Sequence, residues 1–203
     1  MSETEAKTAG HQAFLDRREE RVTALRDELA RMFPDPVEIV LELGCGHGHY
    51  LTAYAEANPR VPCLGLDLVT KRISKANAKK DKRGLDQLTF LKAEAREFMM
   101  ALPAHIRLER CFILFPDPWP KKRHSKNRLI QNQLLDSLGE HSRNGTLLHF
   151  RTDDENHFAW GMETIASHPA WEIDDEQEWP FENPSFFQDL FSSHQSLTAV
   201  FRA

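Results

Sequence analysis

Two short runs and three isolated acids carry the residue types that could do chemistry. The first run is Glu42-Leu43-Gly44-Cys45-Gly46-His47-Gly48, which closes an apolar stretch. Glycines at 44, 46 and 48 let the backbone turn sharply and approach a ligand without a clashing Cβ. A dinucleotide fingerprint would read GxGxxG and seat a pyrophosphate at the following helix N-terminus. Here Gly48 comes one residue early and His49 stands where that glycine belongs. Glu42, just before Gly44, would repel a pyrophosphate and suits a cationic, amine-bearing ligand. Asp67 ends the next apolar run, 23 residues after Gly44. A carboxylate there can accept both hydroxyl hydrogens of a ribose. Glu94 follows the third apolar run. His47 and His49 read as loop and helix-start residues, and no metal-ligand set accompanies them.

The second run is Phe115-Pro116-Asp117-Pro118-Trp119-Pro120-Lys121-Lys122-Arg123-His124. Three prolines in five residues stiffen it and stop it from continuing a strand or a helix. Such a loop holds side chains in place before a substrate arrives. Asp117 is the acid it presents, Trp119 offers a face for a base or for packing, and the bases from Lys121 to Arg128 supply phosphate-binding charge. Packing is the expected role of Trp119, and also of Phe181, Phe186, Phe187 and Phe191 in the tail. Asp153 follows a later apolar run.

The elements that must position these groups alternate. Phe14, Val22, Leu25, Leu29 and Phe33 recur at helical spacing and predict an amphipathic helix over 11–33, ended by Pro34 and Pro36. Residues 1–10 are expected to be disordered. Strands are predicted over 37–43, 61–68, 88–91, 111–115, 145–150 and 196–202. Helices are predicted over 49–57, 70–82, 94–102, 127–142 and 155–167. Strands alternating with helices imply a parallel sheet with helices on both faces, with ligands at the carboxyl ends of the strands. Glu42, Asp67, Glu94, Asp117 and Asp153 all fall at such ends. The expected division is an N-terminal helical extension (1–36) followed by one domain (37–203).

Composition narrows the class. No apolar run reaches the roughly 18–20 residues of a membrane span. The polar N-terminus lacks the apolar core of a secretory signal. Cys45, Cys63 and Cys111 form no CxxC pair, so neither structural zinc nor a disulfide framework is expected. A cytoplasmic protein without membrane or metal is the expectation, as a monomer or a homodimer. The net charge of −5 is unevenly spread: residues 152–203 hold eleven acids against Arg202, a local −10, which leaves residues 1–151 at +5. Two basic blocks stand out, at 71–83 and 121–128. Each reads either as a phosphate-binding patch or as a solvated helix face.

The string FPDPWPKKRH closely resembles the signature of the tRNA (guanine(46)-N7)-methyltransferase family. The glycine loop, Gly65-Leu66-Asp67 and Arg151-Thr152-Asp153 stand in that family's order and spacing, over about residues 37–203. The resemblance implies a Rossmann-like class I methyltransferase fold: a mostly parallel seven-stranded sheet with helices on both faces and an antiparallel last strand. It implies S-adenosylmethionine as cofactor, whose sulfonium and α-amino charges are what Glu42 suits, and N7 of a guanine in the tRNA variable loop as acceptor. It places Glu42, Gly44, Gly46, Gly48, Asp67, Glu94 and Asp117 on the cofactor side, with Asp117 also the central catalytic acid. Glu94 would reach the adenine amino group. Lys121, Asp153, Ser185 and Gln188 would contact the substrate.

Several positions depart from the family pattern. Asp67 and Glu94 stand where the family usually has Glu and Asp, so each reach changes by one methylene. Ser185-Phe186-Phe187-Gln188 stands where it shows Thr-x-x-Glu, and Asn127 stands where a base is common. Two alternatives stay open: the same chemistry on another RNA or a small molecule, and a cofactor-binding protein with little turnover.

Overall fold

A computed structural model describes residues 3–182 and 193–202. The chain opens on α1 (Glu3–Met32), so residues from Glu3 onward are helical where disorder is the sequence expectation. Glu, Ala and Lys are frequent in this early stretch, and such residues extend a helix at little cost. Val22 and Leu29 point into the core, whereas Phe14, expected on the same buried stripe, is 53% exposed.

The strands are β1 (Val37–Leu43), β2 (Cys63–Asp67), β3 (Leu88–Lys92), β4 (Ile106–Leu114), β5 (Leu147–Thr152), β6 (Trp171–Ile173) and β7 (Gln195–Phe201). They form one seven-stranded sheet in the order β3-β2-β1-β4-β5-β7-β6. The pairings among β1 to β5 are parallel, and β7 runs antiparallel to both β5 and β6. The order reverses between β1 and β4, which opens a crevice at their carboxyl ends, where ligands bind in open sheets of this kind.

Four helices follow: α2 (His49–Ala57), α3 (Thr70–Arg83), α4 (Ala95–Ala101) and α5 (Asn132–Glu140), with α6 (Glu155–Ala166) between β5 and β6. One face of the sheet buries residues of α1, α4, α5 and α6, including Leu29, Phe98, Leu135 and Ile165. The other buries Tyr50, Leu51, Ile73 and Ala76 of α2 and α3. Beyond these two helices, the segment after β6 completes the cover. Trp179 and Phe181 pack there on Phe112, Tyr50 and Tyr54. Phe181 thus takes the packing role expected of it, while Phe186, Phe187 and Phe191 lie outside the described residues.

Two predicted elements differ markedly from those observed, and one observed strand has no predicted counterpart. The strand predicted over 111–115 begins at Ile106, because Ile106 and Leu108 are buried, with Arg107 and Glu109 alternating with them, and this stretch already pairs with the start of β1. The helix predicted over 127–142 splits into a 3-10 helix at Lys122–Asn127 and α5. Tertiary bonds hold the intervening residues extended: Gln131 Nε2 donates to Ser125 O at 2.9 Å, and Trp160 Nε1 to Ile130 O at 2.9 Å. The short β6 was not predicted.

Packing fixes the glycine loop from beneath. Gly48 has φ +67°, and a Cβ there would lie 2.5 Å from Phe90 Cζ and 2.8 Å from Ala76 Cβ. Overpacking of this kind and an unfavourable backbone add. Gly48→Ala is expected to lose about 2–4 kcal/mol of stability, read as a lowered midpoint in denaturant unfolding.

Candidate active site

The strand ends converge on a cleft of about 410 Å³. Its lining includes Gly44 after β1, Asp67 to Val69 after β2, Ala93 and Glu94 after β3, and Phe115, Pro116, Asp117 and Trp119 after β4. Four separate strand ends therefore build one cavity at the crevice. Among the sequence-predicted site residues, Gly44, Asp67, Glu94 and Asp117 line it directly.

Glu42 sits one residue behind this lining, buried to 3% exposure on the neighbouring face of β1. Its Oε2 has no hydrogen-bond partner among the described residues. Burial pushes its carboxyl up to about 8; a bond from the Leu51 backbone N–H opposes this, and the nearby Asp67 charge adds to it. A buried acid with an unmet oxygen is costly unless a cation or donor arrives. Glu42 thus has the character of a carboxylate prepared for a positively charged ligand.

Asp67 ties two loops together. Oδ2 accepts from the Gly46 backbone N–H at 3.1 Å, and Oδ1 from the Val69 N–H at 2.7 Å. Arg72 Nη1 reaches Oδ2 at 3.4 Å. Gly46 is thereby held in its left-handed conformation (φ +55°). The shorter acid bonds back into the glycine loop, while Oδ1, with one donor, keeps a lone pair for a ligand hydroxyl. Glu94 caps α4, its Oε2 accepting from the Glu97 N–H at 3.0 Å.

The proline-rich loop is strained and firmly held. Phe115 (φ +48°) and Trp119 (φ +46°) are the non-glycine residues with positive φ among those described. Each costs on the order of 1–3 kcal/mol, a cost typical of sites where geometry serves function. The Phe115 N–H donates to Arg151 O at 2.8 Å, which fixes the loop's start to β5. Trp119 is 37% exposed on the cleft wall, against the expectation that it packs inside. Asp117 is exposed to the cleft between these two residues.

Arg128 corrects the reading of the second basic block. It is only 7% exposed, donates from Nε to Pro118 O at 3.0 Å, and stands 5.2 Å over the Trp160 ring. Its charge braces the loop from behind and does not face solvent. Arg128→Met keeps the bulk but removes the bond and the cation–π contact. It is expected to cost about 2–3 kcal/mol and to slow turnover by loosening Asp117, measured by unfolding and by steady-state kinetics on one preparation.

The first block is also partly committed. Lys79 donates to His47 O at 2.8 Å, Arg72 pairs with Asp67, and Arg83 lies 3.4 Å from Glu56. Lys71, Lys75 and Lys82 remain exposed on α3. Lys121 and Asp153 are exposed just outside the cleft lining. Ser185 and Gln188 lie outside the described residues.

Two residues near the site have roles that the sequence does not show. Arg151 is buried, donates to Ser196 Oγ at 2.7 Å, pairs bidentately with Glu182 at 3.1 and 2.8 Å, and stacks 3.9 Å over Trp179. It fastens the segment after β6 to the end of β5. His157 is fully buried on α6; desolvation, with Arg128 adding, lowers it to about 4, against the raising charges of Asp154, Asp117 and Asp153. It is therefore neutral behind the acids. Neither role has a local signature, since both depend on partners distant in sequence.

The strand order and the crevice at its reversal define the class I methyltransferase fold. Solved structures agree at the level of fold: TrmN from Thermus thermophilus (TM-score 0.60, 17% identity, 88% of this chain and 48% of that one) and an rRNA methylase from Streptococcus thermophilus (TM-score 0.57, 12% identity, 88% and 94%). The family described as "Putative methyltransferase" matches residues 34–194, and the chain belongs to it. Similar curated proteins are the tRNA (guanine-N(7)-)-methyltransferases of Rhodospirillum rubrum (35% identical over 151 residues) and Paramagnetospirillum magneticum (36% over 149). The matches cover 73% and 72% of this chain but only 59% and 62% of those relatives.

Proposed function

We propose that this chain is an S-adenosylmethionine-dependent tRNA (guanine(46)-N7)-methyltransferase. The observation that carries the reading is the gathering of Asp67, Glu94 and Asp117 from three strand ends around one cleft, with the unpartnered Glu42 oxygen buried beside it. The donor set fits the cofactor. Glu42 suits its amino and sulfonium charges, Asp67 its ribose hydroxyls and Glu94 its adenine amine. Bound there, the cofactor supplies an electrophilic methyl group.

Guanine N7 carries a free lone pair, so it needs no general base before attack. Catalysis then rests on alignment and electrostatics. Asp117 accepts hydrogen bonds from the guanine N1–H and amino group and stabilises the positive charge that develops on the ring. Asp153 orients the base, with Ser185 and Gln188 completing its pocket, and the exposed face of Trp119 is available to stack on it. Extruding the guanine from a folded tRNA requires such a replacement for its lost stacking. Lys121 and the exposed lysines of α3 meet backbone phosphates.

In this reading residues 37–203 form the methyltransferase domain and residues 1–36 a helical extension docked on it. The protein works in the cytoplasm, as a monomer or homodimer and without metal. No helix among the described residues is long and apolar enough to cross a membrane. The reading is tested by tRNA binding at 50 and 200 mM salt. Several phosphate contacts require a fall of at least about tenfold. A flat salt response would remove RNA as the acceptor.

A further inference from the structure

We infer that Arg21 of α1 is a positioning residue that sets recognition of the cofactor's adenine end, acting through Glu97 on Glu94; this rests on the cofactor reading of the cleft. Arg21 grips Glu97 bidentately, Nε to Oε2 at 2.9 Å and Nη2 to Oε1 at 2.5 Å. The backbone N–H of Glu97 in turn holds Glu94 Oε2 at 3.0 Å. Among the described residues Glu94 Oε1 carries no bond, so it is the oxygen left for a ligand. Three groups from two distant parts of the chain thus form one relay that ends at the cleft.

The surrounding geometry supports this role. A second cavity, of about 750 Å³, adjoins the cleft and shares Leu68, Ala93 and Glu94 with it. Phe14, Arg18, Arg21 and Leu25 of α1 form its outer wall. Arg18 Nη2 contacts Met100 Sδ at 3.1 Å and Arg26 Nη2 donates to Met100 O at 2.9 Å, so α1 is registered against α4 on both sides of Arg21. Glu94 and Glu97 are two carboxylates in one helical turn. Arg21 neutralises the second and holds its carboxyl below the usual range. Without Arg21, the Glu97 carboxylate keeps an uncompensated charge one helical turn from Glu94, and that charge disfavours the Glu94 orientation that the adenine amine needs.

A purely structural role predicts something different. Arg21 is half exposed, and an ion pair of that kind contributes little to stability. Its loss would then leave ligand preference untouched.

Calorimetry on the full chain with S-adenosylhomocysteine and S-inosylhomocysteine separates the two. The adenine amine donates to Glu94, whereas the inosine carbonyl opposes it. The native protein is expected to prefer the adenine ligand by at least about tenfold. Arg21→Gln should reduce that preference below about threefold, and adding Glu97→Gln should restore it by removing the uncompensated charge. Arg21→Lys should hold an intermediate value. An unchanged preference in Arg21→Gln, or both ligands weakened in parallel, would overturn the relay. Native protein that binds neither ligand would instead overturn the cofactor reading itself.

Discussion

Asp117→Ala is expected to slow methyl transfer by about 10²–10³-fold while S-adenosylhomocysteine affinity stays within about threefold. Asp117 is held at the carboxyl end of β4 by the strained residues Phe115 and Trp119, and Arg128 braces the loop from behind. That investment of strain makes sense if the carboxylate must be in place before the base arrives. The acid stands at the exposed mouth of the cleft, while Asp67 and Glu94 line it elsewhere, so its removal leaves most cofactor contacts intact. Asp117→Asn keeps the shape and loses the charge. It should recover little activity, because its amide N–H₂ offers a donor where the guanine N–H groups need an acceptor. Single-turnover rates beside calorimetric affinities would separate the two effects. A variant that transfers methyl groups at the native rate would remove Asp117 from the reaction.

Glu42→Gln should produce the other large effect, in two opposite directions. In the ligand-free protein the Glu42 carboxyl is raised to about 8, while in the unfolded chain it keeps its ordinary value. Between those values the folded state retains a proton that the unfolded state has lost. Stability therefore falls as pH rises through this window. Gln carries no such burden. At pH 9 the variant should be more stable than the native protein by on the order of 3 kcal/mol, and at pH 5 the two should nearly coincide.

Cofactor binding should show the reverse. A cationic ligand needs the carboxylate, so below pH 8 its binding expels a proton. Affinity should rise towards tenfold per pH unit up to about 8 and then level off. Glu42→Gln should abolish that slope and weaken binding by about 10²-fold. Proton release is measured by calorimetry in buffers of different ionisation enthalpy. A native protein that binds without releasing protons at pH 7 would mean that Glu42 does not meet the ligand's charge.

The sequence revealed the groups that meet at strand ends better than the contacts that hold them. β1 was legible because a continuous apolar run stops at a glycine, and Asp67, Glu94 and Asp117 because acids directly follow such runs. The start of β4 was not, because Arg107 and Glu109 give it the look of a loop. β6 has only three residues, too few for any period to register. Arg128 read as one more surface base. Its burial depends on Pro118 and Trp160, which local patterning cannot reveal. The positive φ of Phe115 and Trp119 was equally hidden, since bulky residues rarely adopt it and the adjoining prolines only imply stiffness. The Arg21–Glu97 pair joins residues 76 apart, each ordinary in its own helix.

The most direct measurement is methyl transfer from labelled S-adenosylmethionine to bulk tRNA lacking the modification, followed by nucleoside analysis of the product. The account predicts 7-methylguanosine, formed by the native protein and greatly reduced with Asp117→Ala. A different methylated nucleoside, or no transfer by protein that still binds S-adenosylhomocysteine, would contradict it.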